Sequence, residues 1–101
     1  MIRRCSTPTH TFTLPFDTSD IKSLMVIYAQ GGNEVFHKNK EDCNLDGNTL
    51  SLTLTQEETK AFNHKLDVQV QLRVLAYNGS SIVSDIETIA VKTVLNDEVM
   101  A

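Results

Sequence analysis

The chain has no tryptophan, only four glycines, two prolines and two cysteines, and aromatic residues make up 6% of its 101 positions. Each scarcity closes a class. Proline and glycine this sparse exclude collagen-like and low-complexity chains. Two cysteines cannot build the disulfide framework of a small secreted scaffold, and a chain kept in a reducing compartment holds them as free thiols. Without tryptophan there is no Cys…Trp…Cys signature of antibody-type domains. The longest apolar run, Leu24 to Ala29, is far short of the roughly 20 residues that span a bilayer. Met1-Ile2-Arg3-Arg4-Cys5-Ser6 carries charge with no apolar stretch behind it. It therefore reads neither as a signal peptide nor as a lipid-attachment site, and the chain is expected to fold in the cytoplasm where it is made.

Charge of one sign is also in short supply. The net charge is −4 with a pI near 5.2, and the only adjacent basic pair is Arg3–Arg4. Nucleic-acid binders carry a basic stripe, so that class is set aside. The acids are too scattered for a DNA mimic and serve solubility.

What is present is the balance of an ordinary globular protein, 41% apolar and 22% charged. The length fits one domain over 1–101, with 1–7 and 96–101 read as flexible tails. The dominant period is two, the period of a strand. His10, Phe12, Leu14 and Phe16 fall on one face of a run bracketed by Pro8 and Pro15, so this strand is expected at a sheet edge. Ile21 to Gln30 is apolar on both faces and reads as a central strand. Gln30-Gly31-Gly32-Asn33 is a hairpin turn leading into Glu34 to Lys40. Cys43-Asn44-Leu45 reads as a short strand, and Leu50, Leu52 and Leu54 alternate cleanly with threonine and serine. Leu66 to Tyr77 reads as the longest strand, with Leu66 pointing inward. Asn78-Gly79 turns it into Ser80 to Leu95, with a bulge expected near Ser84-Asp85. One short helix interrupts the series: Thr55-Gln56-Glu57-Glu58 fits a capping box, the helix should end near Asn63, and Phe62 should plug the core. The predicted fold is all-β, an immunoglobulin-like antiparallel β-sandwich of six to seven strands with one short helix, a barrel being the structural alternative.

No constellation carries chemistry. His10, His37 and His64 are far apart and lack zinc-site spacing. His37 and Cys43 make half a metal site at best, and Glu41, Asp42 and Asp46 give Cys43 the wrong surroundings for a nucleophile. Glu57 and Glu58 read as cap and solvent residues, and Asp85 and Glu87 as surface acids that deter aggregation. Gly31-Gly32 lacks the helix a phosphate loop requires. No catalytic residue, metal ligand or cofactor is expected. An apolar surplus remains on the strands, and Met25, Ile27, Leu75 and Tyr77 are the candidate interaction surface, with Ile89, Val91 and Val94 as further surplus.

Thr7 to Asp17, Ile21 to Gln30, Gly31-Gly32-Asn33, Leu54 to Thr59 and Val68 to Val74 together resemble a family of small prophage proteins of Gram-positive bacteria whose genes sit among tail genes. The pattern is also loosely similar to the N-terminal β-domain of phage baseplate upper proteins. The resemblance covers nearly the whole chain. It implies a non-enzymatic structural or tail-assembly part, made in the bacterial host cytoplasm and either built into the virion or acting only in its assembly. Its partners would be copies of itself or other tail proteins, with no nucleic acid and no membrane. Docking of strand faces, or edge pairing through Thr9 to Phe16, is the expected route. The alternative is a generic binding module for a host protein or a carbohydrate.

Overall fold

Alternating side chains and short turns produce two facing sheets. The computed structural model describes residues 1–100. A three-stranded sheet has the order β2 (Thr9–Thr13), β6 (Thr49–Thr53), β5 (Asn44–Asp46). Opposite it lies a sheet of order β4 (Asn33–Asn39), β3 (Ile21–Gln30), β7 (Val68–Ala76), and then the broken return strand β8 (Ser81–Val83) and β9 (Glu87–Ile89), both paired with β7. A further pair, β1 (Ile2–Arg3) and β10 (Val91–Lys92), is parallel. Six to seven strands were predicted, and their paths are β2 to β7 and the return, whose predicted span Ser80 to Leu95 also takes in β10; β1 and its parallel pairing with β10 were not anticipated.

The core lies between the sheets. Leu14, Leu50, Leu52 and Leu54 face Leu24, Val26, Tyr28, Val68, Val70, Leu72 and Val74, all buried. Removing side chains of this size from water contributes roughly 1.5–3 kcal/mol each. β3 is central, between β4 and β7, as its two apolar faces predict, and β2 is an edge strand as its prolines predict. At the aromatic end of the core Tyr28 stacks on Phe36 and Phe36 packs tilted against Phe62, with ring centroids 5.0 and 5.4 Å apart. Phe62 plugs this end as expected.

The helix α1 (Gln56–Lys60) is shorter than predicted, but its capping box is formed. The Glu58 amide donates to Thr55 Oγ1 at 3.2 Å and the Thr55 amide donates to Glu58 Oε1 at 2.8 Å. The bulge is present as well. Between Arg73↔Val83 and Val70↔Glu87, β7 steps back three residues while the return strand advances four. The Ser84 hydroxyl fills the gap by accepting from the Leu72 amide at 2.9 Å.

Four expectations need correction. Residues 1–7 are not a free tail: Ile2 is fully buried and its amide donates to the Ala90 carbonyl at 2.7 Å. Residues 96–100 are tied down too, by Arg4–Asp97 and by Gln56, which bonds both the amide and the carbonyl of Met100; Ala101 lies outside the described residues. Leu66 is exposed rather than inward, because β7 begins only at Val68 and Leu66 lies in the loop before it. β3, at ten residues, is longer than β7, at nine.

Candidate interaction surface

Residues that pair across antiparallel strands share a face. Ser23 pairs with Leu75, Met25 with Arg73 and Asn39, and Ile27 with Gln71 and His37. Since Leu24, Val26 and Tyr28 point into the core, these residues form the outer face of the five-stranded sheet. The face continues to Val83, which pairs with Arg73. Two hollows of about 410 and 280 Å³ mark it. Met25, Arg73, Leu75 and Ser81 line the first; Ile27, Ala29, Gln69, Gln71 and Ile86 line the second.

The structure thus brings Met25, Ile27 and Leu75 onto one surface. Met25 and Ile27 are half-buried by their neighbours, and Leu75 is 37% exposed. Tyr77 does not join them. It sits past the end of β7, is 68% exposed, and lines a separate hollow with Phe16, Asp20, Asn78 and Ile82. Two residues of the outer surface were missed. Val83 and Ile86 are 52% and 56% exposed. The bulge at Ser84-Asp85 turns Ile86 onto this face, so the predicted phase slip was the signal that could have found it. Val91 belongs to the core rather than to a surface surplus, because β1 covers it.

The groups read for chemistry separate in space. His37 pairs with Glu34 at 3.1 Å, while the Cys43 thiol donates to the Asn39 carbonyl at 3.4 Å. Burial, and then the neighbouring Asp42 charge, pushes the Cys43 thiol up to about 11, so it stays protonated at neutral pH. Cys5 and Cys43 are both free thiols. Glu58 is an ion-pair partner as well as a cap: burial alone would raise its carboxyl, but the Lys38 ammonium and the Thr55 bonds hold it below the ordinary range. Among the described residues no group of three or more His, Cys, Asp or Glu side chains could hold a metal ion. Among the described residues no helix is long and apolar enough to cross a membrane.

Asp85 and Glu87 have a specific location. They line a groove of about 480 Å³ at the open side of the sandwich, between β2 and the return strand. Its floor is apolar, with Phe12, Leu14 and Phe16 from one side and Val70, Leu72, Val74 and Ile82 from the other.

No protein-family model matches the chain, and no curated protein matches it. Solved structures do. The immunoglobulin-like domain of mouse leukocyte-associated immunoglobulin-like receptor 1, solved as a strand-swapped dimer, matches at TM-score 0.50 and 11% identity, covering 90% of this chain and 84% of that one. The V domain of amphioxus IgVJ-C2 matches at TM-score 0.38 and 11% identity, covering 88% of this chain and 95% of that one. The sheet order and the first of these similarities define an immunoglobulin-like β-sandwich.

Proposed function

We propose that the chain is a non-enzymatic module of phage or prophage tail structure or assembly, acting through contacts with copies of itself or with other tail proteins. The observation that carries the contact reading is the outer face of the five-stranded sheet. Met25, Ile27, Leu75, Val83 and Ile86 lie together there, on a surface that core packing does not require. Antiparallel sheets usually keep one face polar, so apolar residues on both faces favour an interface. The tail context rests on the resemblance described above.

Self-association has a second support. The similar receptor domain forms a dimer by strand exchange. Here β1 joins its sheet only through a two-residue pair with β10 while Ile2 seats in the core, so the same contacts can form with a second copy. Light scattering of the recombinant protein tests self-association, and mass spectrometry of particles from the induced source prophage tests the context. The expected results are an oligomer that Met25→Lys with Ile27→Lys dissociates, and the chain present in particles or tail intermediates. A monomer that is absent from both would defeat the reading and favour the binding-module alternative.

A further inference from the structure

The sheet order leaves β2 with no neighbour on one side. Its pairing with β6 fixes which backbone groups are left over. The Leu14 amide donates to Asn48 and the Leu54 amide to Pro8, so the even-numbered residues of β2 bond toward β6. The N–H and C=O groups of Thr9, Thr11 and Thr13 therefore point along the open edge. The return strand also ends its sheet, and the groove lies between these two edges. One position is missing from the sandwich at this side: a strand beside β2, lying over an apolar floor.

The groove has a definite charge. Asp85 and Glu87 stand on its wall, and no lysine or arginine lines it among the described residues. Both acids are exposed and neither is in an ion pair among the described residues. A second copy, with net charge −4, is a poorer electrostatic match than a basic segment.

We propose that the open edge of β2 and the groove beside it accept an extended strand from a partner protein, with apolar residues at alternate positions and lysine or arginine between them. The backbone of the incoming strand bonds to Thr9, Thr11 and Thr13, its apolar side chains cover Val70, Leu72 and Ile82, and its cations meet Asp85 and Glu87. β2 spans five residues, Thr9–Thr13, and Pro15 lacks an edge-facing donor beyond it, so the added strand is about five residues long. This deepens the protein-contact reading and rests on it, but uses a different surface from the outer face.

The test uses the full chain and two capped peptides, four Lys-Val repeats and four Glu-Val repeats, with amide hydrogen exchange read by NMR. The Lys-Val peptide should slow exchange at Thr9, Thr11 and Thr13 by about tenfold or more, while the Glu-Val peptide should not. Asp85→Lys with Glu87→Lys should reverse that preference. Thr11→Pro, which removes an edge-facing donor and no bond to β6, should abolish protection at Thr9 and Thr13 with little change in the urea midpoint. If it unfolds the chain, the charge reversal decides alone. Absence of protection, equal protection by both peptides, or a preference unchanged by the charge reversal would overturn the proposal. Edge amides protected by raising the protein concentration, with no peptide, would give the edge to a second copy and overturn it as well. Loss of self-association in the outer-face variants leaves the edge result untouched, so the two failures are distinguishable.

Discussion

Half-buried His10 and buried Tyr28 form a pH-sensitive polar contact beside the core. The His10 Nδ1 and Tyr28 hydroxyl are 2.6 Å apart, and their rings stack with centroids 5.7 Å apart. Tyr28 is fully buried, and burial raises its phenol well above the ordinary range, so it stays a donor. A neutral imidazole can accept that proton; an imidazolium cannot. Burial, and then the Met1 ammonium, lowers the His10 pKa from 6.5, with Glu87 opposing. The folded state therefore binds this proton less well than the unfolded chain does. The stabilisation from neutral His10 is complete above 6.5 and is lost as pH falls from there toward the folded value. Urea midpoints at pH 7 and pH 5 should show a drop in the parent protein that is smaller in His10→Gln. An equal drop in both would remove His10 as the cause. Arg4 gives a second prediction at this scale. Its guanidinium donates twice to the Lys60 carbonyl at the end of α1, at 3.0 and 3.3 Å, and pairs with Asp97 at 2.9 Å. Arg4→Ala should cost roughly 1–3 kcal/mol in urea unfolding, as charge-assisted bonds do, and Arg4→Lys should recover little because lysine lacks the fork.

At the scale of elements, α1 depends on its cap. It has five residues, too few to stand on propensity, and is held by the Thr55–Glu58 box and by the Lys38–Glu58 ion pair to β4. Thr55→Ala with Glu58→Ala should lower stability by roughly 1–2 kcal/mol, and unchanged urea curves would show that packing of Phe62 alone holds the helix. This element was legible because a capping box is local: four consecutive residues contain the whole signal. The Gly31-Gly32 and Asn78-Gly79 turns, the edge position of β2 and the central position of β3 were legible for the same reason. The parallel pair β1–β10 was not, since two-residue strands have no period and their partners lie at opposite ends of the chain. Leu66 was misplaced because alternation continues past the strand end. The signal that stops it is tertiary: the buried Gln30 amide donates to the Asn63 and Leu66 carbonyls at 2.8 and 2.9 Å and fixes the loop. Of the candidate residues, Met25, Ile27 and Leu75 share one sheet face, as strand period implies, whereas Tyr77 separates from them because it lies one step past the end of β7. The groove was invisible in sequence, since it is defined by the strand that does not stand beside β2.

The whole molecule is closed by its ends. Ile2 is buried against the core beside Val91, the Ser6 amide donates to Thr59 Oγ1 at 3.0 Å, and the Thr59 hydroxyl donates back to the Ser6 carbonyl at 2.9 Å. Arg4 links this segment to both α1 and the last residues. The first seven residues thus span β10, α1 and the C-terminal segment, and they cover the end of the core that β9 and β10 leave open. A terminal segment that only decorated the surface could be removed without effect. Here, deleting residues 1–7 should lower the urea midpoint clearly, while deleting residues 98–101 should change it little. Ile2→Ala isolates the packing part of the effect and should cost roughly 2–4 kcal/mol, the range for truncating a fully buried branched side chain. The same segment bears on assembly. If copies exchange β1, the deletion should also abolish the oligomer, whereas an oligomer built on the Met25–Ile27 face should survive in whatever fraction stays folded. Light scattering on the deletion variant, at a urea-free temperature where circular dichroism still reports strand, separates the two. An oligomer lost together with the first seven residues, in a chain that remains folded, would place the contact at the exchanged strand and not on the outer sheet face.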